Sequence, residues 1–213
     1  MSMKVIPFAE AHHRTDEVAR VLADGGLACF PMRGAYRLAV DARSEAAVER
    51  LMHSKRRAKH HPSLVLVADL AGAKHVVEGT GWSTTRRLAE RLWPGPLTMV
   101  LPPSAHLPAK LRKTLAKATG TVGVRVPDDP FTLQVLRAFG GPLLLSSANL
   151  EQKPGASSAA TVQQRFVRAI DVWVDAGDVT PAPPSTVVAV KDGSWELVRD
   201  GAISREAIER ASA

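Results

Sequence analysis

The sequence predicts a single α/β domain over residues 1–213, built on a twisted, mixed parallel and antiparallel sheet with helices packed against it. Three observations lead there. Helical stripes alternate with short apolar runs along the whole chain, which is the signature of α/β crossovers. The stretch Lys191-Asp192-Gly193-Ser194, flanked by apolar runs, adds a local antiparallel hairpin. Finally, 213 residues with 45% hydrophobic and 23% charged side chains suffice for one core, and neither an internal repeat nor a linker interrupts them.

Each element follows from its own signals. Val18, Val21 and Leu22 mark a helical stripe that Gly25-Gly26 ends, and Leu27 to Pro31 then reads as a buried strand. Tyr36 to Asp41 is a second strand. Ser44 opens a helix with Val48, Leu51 and Met52 inward, and Leu64 to Ala68 is the next strand. A helix with Leu88 and Leu92 inward stops at Trp93-Pro94-Gly95-Pro96. Leu97 to Leu101 and Thr121 to Val126 are strands. Asp129 caps a helix whose first residue is Pro130 and which Gly140-Gly141 closes. Leu143 to Ser146 is a strand running into Ser147-Ala148-Asn149. Ser158 caps a helix with Val162, Phe166, Val167 and Ile170 inward. Ser185 to Val190 and Trp195 to Arg199 form the hairpin, and a short helix starts at Ser204. Segments 150–158 and 178–184 read as surface loops, placed to move over a site.

Composition narrows the function. A formal charge of +7 suggests polyanionic partners, namely phosphates, nucleotides or RNA. Cys29 is the only cysteine and sits among Leu27, Ala28 and Phe30, so it reads as a buried apolar residue; an internal disulfide or thiolate metal cage is excluded. No apolar run reaches the roughly 18 residues of a membrane helix. No secretory leader is evident either, so a cytoplasmic protein with no membrane partner is expected.

The common phosphate loops are absent: there is no G-x-x-x-x-G-K-[ST], and no G-x-G-x-x-G follows a strand. His12-His13 and His60-His61 are adjacent pairs whose side chains diverge, so no metal site is expected. Polar and cationic residues instead gather at element ends, where a cavity forms. Ser54-Lys55-Arg56-Arg57-Ala58-Lys59 ends a helix, and its cations also suit the helix dipole. Thr121 and Arg125 share one strand face by the period of two, and an Arg in so apolar a strand needs an anionic partner. Ser146-Ser147-Ala148-Asn149 lies at a strand's C-terminal tip, where open α/β sheets bind ligands. Ser185-Thr186 and Arg199-Asp200-Gly201 bracket the last hairpin; capping and turn roles also fit them.

In sequence order, Pro31…Tyr36, Lys55-x-Arg57, Trp93-Pro94-Gly95-Pro96-Leu97-Thr98, Gly123-Val124-Arg125-Val126-Pro127, Ser147-Ala148-Asn149, Ser185-Thr186-Val187 and Arg199-x-Gly201 resemble the YrdC family of threonylcarbamoyl-adenylate synthases, from about residue 14 to 208. The resemblance implies a YrdC-like fold enclosing a positively charged cavity. It implies a nucleotidyltransferase that joins L-threonine, bicarbonate and ATP, with Mg²⁺ on the triphosphate, into threonylcarbamoyl-AMP and pyrophosphate. That product serves modification of a tRNA adenosine. Carried over by position, Lys55, Lys59, Thr121, Ser147, Asn149 and Arg199 face ATP. Lys55 and Arg57 supply the cationic field for the reaction. Met32, Tyr36, Arg125 and Ser185 meet the threonine. Chemistry that crowds several anions together needs preorganised cations more than a general base.

The departures gather in one loop. The family pattern P-T-[ED]-T-x-Y-G-L-G reads here Pro31-Met32-Arg33-Gly34-Ala35-Tyr36-Arg37-Leu38-Ala39, with both threonines gone. Neither Met32 nor Gly34 offers a hydroxyl, so weaker threonine recognition with intact ATP binding is expected. Two readings stand: the synthase, and a diverged relative that binds double-stranded RNA or a nucleotide without synthase activity.

Overall fold

The computed structural model describes residues 3–55, 64–79, 81–116, 119–149 and 156–213. Among them, the first half of the chain forms β1 (Lys4–Pro7), α1 (Phe8–Ala11), α2 (Thr15–Ala23), β2 (Ala28–Met32), β3 (Ala35–Asp41), α3 (Glu45–Ser54), β4 (Leu64–Leu66), α4 (Leu70–Ala73), α5 (Trp82–Leu92) and β5 (Leu97–Leu101). The second half forms α6 (Ala109–Leu115), β6 (Val122–Arg125), α7 (Pro130–Phe139), β7 (Leu143–Ser147), α8 (Ala159–Phe166), β8 (Val172–Asp175), β9 (Thr186–Lys191), β10 (Ser194–Arg199) and α9 (Arg205–Ser212). Two compact units result, each from two stretches of chain. Unit 1 takes Met1–Lys59 and Asp129–Ala182; unit 2 takes His60–Asp128 and Pro183–Ala213.

Unit 1 carries strands in the order β1-β8-β2-β3-β7. β1 and β2 both run parallel to β8, and β3 is antiparallel to β2 and to β7. Every residue of β2 is buried, as a central strand covered on both faces requires. Met32 pairs with Ala35 across the two-residue turn Arg33-Gly34, whose φ angles of 48° and 69° are both left-handed. That is the hairpin turn whose twist matches its strands. Apolar faces of α2 (Val18, Leu22) and α7 (Phe131, Val135, Leu136) are buried and pack together. One carboxylate ties three elements: Asp171 accepts from the Leu27 backbone N–H at 2.7 Å and from Arg50 of α3 at 3.0 Å. Arg50 also reaches the Ala169 carbonyl at 2.9 Å, which fixes α3 against the start of β8.

Unit 2 carries the order β4-β6-β5-β9-β10. β4 is parallel to β6 and β5 to β9, while β5 is antiparallel to β6 and β9 to β10. Ser194 pairs with Lys191 across Asp192-Gly193, the turn the sequence predicts, with Gly193 at φ 67°. Arg91 of α5 caps α9 by donating to the carbonyls of Arg210 and Ala211, both at 3.0 Å.

Mixed parallel and antiparallel pairing with packed helices is therefore present in both units, as predicted. Three local expectations are corrected. The strand expected from Leu64 to Ala68 ends at Leu66, and Thr121 precedes β6 rather than belonging to it. Val167, expected inward, is 47% exposed and forms the C-cap of α8, which ends at Phe166. Cys29 is fully buried, and burial pushes its thiol pKa well above the ordinary value. Among the described residues, no helix is long and apolar enough to cross a membrane.

Candidate functional site

In unit 1 the site begins at the end of α3. Ser44 caps this helix by accepting from the Ala47 N–H at 3.2 Å, and Ala47, Val48 and Leu51 bury its inner face. The helix stops at Lys55, whose side chain leaves the exposed C-terminus and turns inward until only 1% of the residue is exposed. Its ammonium donates to Ser146 Oγ at 3.0 Å, to Asn149 Oδ1 at 3.4 Å, and to the Ser147 carbonyl. The apolar run Leu143-Leu144-Leu145 buries β7 and delivers Ser146, Ser147 and Asn149 to its C-terminal tip. Three of the residues assigned to ATP, namely Lys55, Ser147 and Asn149, thus meet at one place. Arg37, which the sequence marked only as a departure from the family pattern, joins them: its guanidinium donates from Nη1 to Ser147 Oγ at 2.9 Å.

Elsewhere in unit 1, the expected substrate loop is the β2–β3 hairpin. Met32 is 2% exposed. Tyr36 is fully buried, stacked on Trp173 with ring centroids 4.4 Å apart. Its hydroxyl donates to the Gly177 carbonyl at 2.7 Å and accepts from the Ala176 N–H at 3.0 Å, so it ties down the 176–177 turn. The glycine at position 34 has a structural cause. A Cβ on Gly34 would lie 2.8 Å from the Pro181 carbonyl carbon and closer still to Thr180 O and Ala182 N. Glycine stands there because the 180–182 backbone rests on it, and its φ of 69° favours glycine as well. Segment 178–184 does lack regular structure, as predicted, but bonds hold it. The Val179 N–H donates to Ser157 O at 2.9 Å, and Asp178 accepts from the Ala159 N–H at 2.8 Å.

Unit 2 gathers a second polar cluster. Ser185 is 8% exposed and lies just before β9; its hydroxyl is 3.0 Å from Thr98 Oγ1 of β5. Arg199, at the end of β10, donates from Nη2 to the Ser185 carbonyl at 2.7 Å and to its hydroxyl at 3.3 Å. A register shift between Leu197 and Arg199 marks a β-bulge, the device that re-aims a side chain at a strand end. Thr186 braces the group by donating to the Ile203 carbonyl at 2.7 Å and accepting from its N–H at 2.9 Å. Gly201 allows this closeness, because a Cβ there would stand 2.5 Å from Pro184 O, Ser185 C and Thr186 N. Arg125 ends β6 at 2% exposure. Thr121 lies just before the start of β6, with its hydroxyl 2.8 Å from that of Thr119, while Arg125 ends the strand. Thr98, which sequence reasoning left out, was visible only as the last residue of the Trp93-Pro94-Gly95-Pro96-Leu97-Thr98 block.

Arg57 and Lys59 lie outside the described residues, as do His60 and His61. Among the described residues no three His, Cys, Asp or Glu side chains form a group able to hold a metal ion. Each cluster offers a cation and hydroxyl groups, which supply the N–H and O–H donors that suit oxyanions.

A family model described as Sua5_yciO_yrdC, telomere recombination, matches residues 20–201. The chain is 31% identical over 193 residues to the threonylcarbamoyl-AMP synthase of Bacillus subtilis, covering 91% of this chain and 55% of that protein. It is 31% identical over 196 residues to the synthase of Pyrococcus abyssi, covering 90% and 55%. A third similar protein, the synthase of Chromohalobacter salexigens, is 32% identical over 184 residues, covering 86% and 96%. The chain thus spans about half the length of the first two relatives. Its fold is similar to the crystal structure of Pyrococcus abyssi Sua5 complexed with L-threonine, with a TM-score of 0.84, 27% identity, and 99% of this chain and 61% of that one covered. Escherichia coli YciO shares the fold at a TM-score of 0.76 and 21% identity.

Proposed function

Since the chain belongs to the Sua5–YciO–YrdC family, we propose that it forms threonylcarbamoyl-AMP and pyrophosphate from ATP, bicarbonate and L-threonine, with residues 1–213 acting as one functional domain. The observation that carries the reading is Lys55: a buried ammonium bonded to three neutral oxygens at the tip of β7. In the reaction, the threonine amine nitrogen bonds to the bicarbonate carbon and a water leaves, giving a carbamate. Its carboxylate oxygen bonds to the α-phosphorus of ATP, the α–β phosphoanhydride breaks, and pyrophosphate leaves. Two unit negative charges about 4 Å apart repel by about 4 kcal/mol at an effective dielectric constant of about 20. Fixed cations offset that repulsion without reorganising, so they serve this step better than a proton acceptor would.

Each unit is assigned by itself. In unit 1, Lys55, Ser147 and Asn149 are assigned to the nucleotide, and Met32 and Tyr36 of the β2–β3 hairpin to the threonine. In unit 2, Arg199 and Thr121 are assigned to the nucleotide, and Arg125 and Ser185 to the amino acid's carboxylate and hydroxyl. Among the described residues no three His, Cys, Asp or Glu side chains group to hold a metal, so Mg²⁺ would come with the triphosphate and would offset its charge there. The formal charge of +7 favours a tRNA as the downstream partner.

The test measures pyrophosphate release with ATP, bicarbonate and each amino acid in turn. Release that depends on threonine is expected. Lys55→Ala is expected to weaken ATP binding roughly tenfold or more, the loss of a charged hydrogen-bonding group costing about 1.5–3 kcal/mol. No release with any amino acid would overturn the reading.

A further inference from the structure

Arg37 is the cation that the assignment above does not use. The antiparallel ladder sets it directly opposite Ser147, so their contact is fixed by register rather than by a free choice of side-chain conformation. A slip of one residue would put Leu38 there instead. The guanidinium carries donors and no acceptor, so at 2.9 Å it occupies a lone pair of Ser147 Oγ. The hydroxyl proton must then point away from Arg37. Lys55 acts on the neighbouring hydroxyl in the same way, donating to Ser146 Oγ at 3.0 Å. Two adjacent hydroxyls at one strand tip therefore each receive a bond from a cation and keep their own proton to give. A hydroxyl that accepts from a cation is polarised and becomes a stronger donor.

We propose that Arg37 is a positioning residue for phosphate recognition: it turns the Ser147 hydroxyl into an oriented donor to a phosphate oxygen of the nucleotide. This rests on the nucleotide assignment made for Lys55 and Ser147. Arg37 acts through Ser147, so the two substitutions should not add.

Calorimetry of ATP and of adenosine, on the wild type, Arg37→Ala, Ser147→Ala and the double variant, decides it. Arg37→Ala is expected to weaken ATP binding roughly tenfold, the effect of losing one charge-assisted bond, and to leave adenosine unchanged. In the Ser147→Ala background the same change is expected to cost less than about twofold. Arg37→Lys, which keeps a charged donor, is expected to recover much of the loss. If Arg37→Ala loses its cooperative melt, Arg37→Gln, which keeps an N–H donor without the charge, takes its place in the same cycle. Full additivity in the double variant, or unchanged ATP affinity in Arg37→Ala, would overturn the proposal while leaving the Lys55 assignment standing. A wild type that fails to bind ATP would overturn both.

Discussion

Tyr36 is the only tyrosine in the chain, so its ionisation can be followed without interference. Burial holds its hydroxyl protonated and pushes its pKa up to about 12, against an ordinary value of 10.0. A folded-state pKa above the unfolded one means that, between those values, the unfolded chain has released a proton that the native protein keeps. Its contribution to stability is therefore whole below about pH 10 and is lost progressively as the pH rises towards about 12. The phenolate absorbance of the folded protein is expected to rise at higher pH than that of the chain in denaturant. Coincident curves would show that the ring is not held as described. The hydroxyl that donates to the Gly177 carbonyl is the one being titrated, so the 176–177 turn should loosen over the same interval. At this scale the residue was legible and its structural contacts were not. Aromatic bulk was legible at position 36, whereas the stacking partner Trp173 lies on a strand that no local signal announced.

Among the elements, the β9–β10 pair shows how a glycine away from any ligand controls where an arginine points. Gly201→Ala would press a methyl group against the backbone of Pro184, Ser185 and Thr186, which cannot give way as a flexible side chain would. The substitution is expected to cost about 1–3 kcal/mol, as overpacking does. It should also pull Arg199 off Ser185, so the melting temperature and the rate of pyrophosphate release should both fall. A fully stable, fully active variant would contradict the close approach. Elements with local punctuation were legible: Ser44, Asp129, Ser158 and Ser204 each cap the helix they were expected to start. Those that depend on distant partners were not. β1 buries only Ile6 and pairs solely with β8, and β8 is itself a four-residue strand without a turn signal. Helices α1 and α4 are a single turn each, too short for a period to emerge. In the site, Lys55, Ser147 and Asn149 could be grouped because each stands at an element end. Arg37 could not, because only the register between β3 and β7 reveals its partner. The rule applied to Arg125, that an arginine in an apolar strand needs an anionic partner, would flag Arg37 but would not lead to the neutral Ser147 hydroxyl it meets.

At the scale of the whole molecule, neither unit is a contiguous stretch of sequence. Unit 1 needs both Met1–Lys59 and Asp129–Ala182, and unit 2 needs both His60–Asp128 and Pro183–Ala213. A fragment ending at residue 128 holds β2 and β3 without β7 and β8, and holds β5 without β9. Such a fragment is expected to show no cooperative thermal transition, while the full chain melts in one or two sharp steps. A cooperative fragment would mean that the division is not the folding division. The consequence reaches protein synthesis. A ribosome makes the chain in one direction, at roughly 5–20 residues per second, and early segments must wait for late ones. During that wait the apolar β2 and β5, both fully buried in the finished protein, stay open to other chains in the cell. A nascent chain of this design is expected to engage chaperones until its late segments have emerged, and a premature stop is expected to leave these apolar strands without their partners.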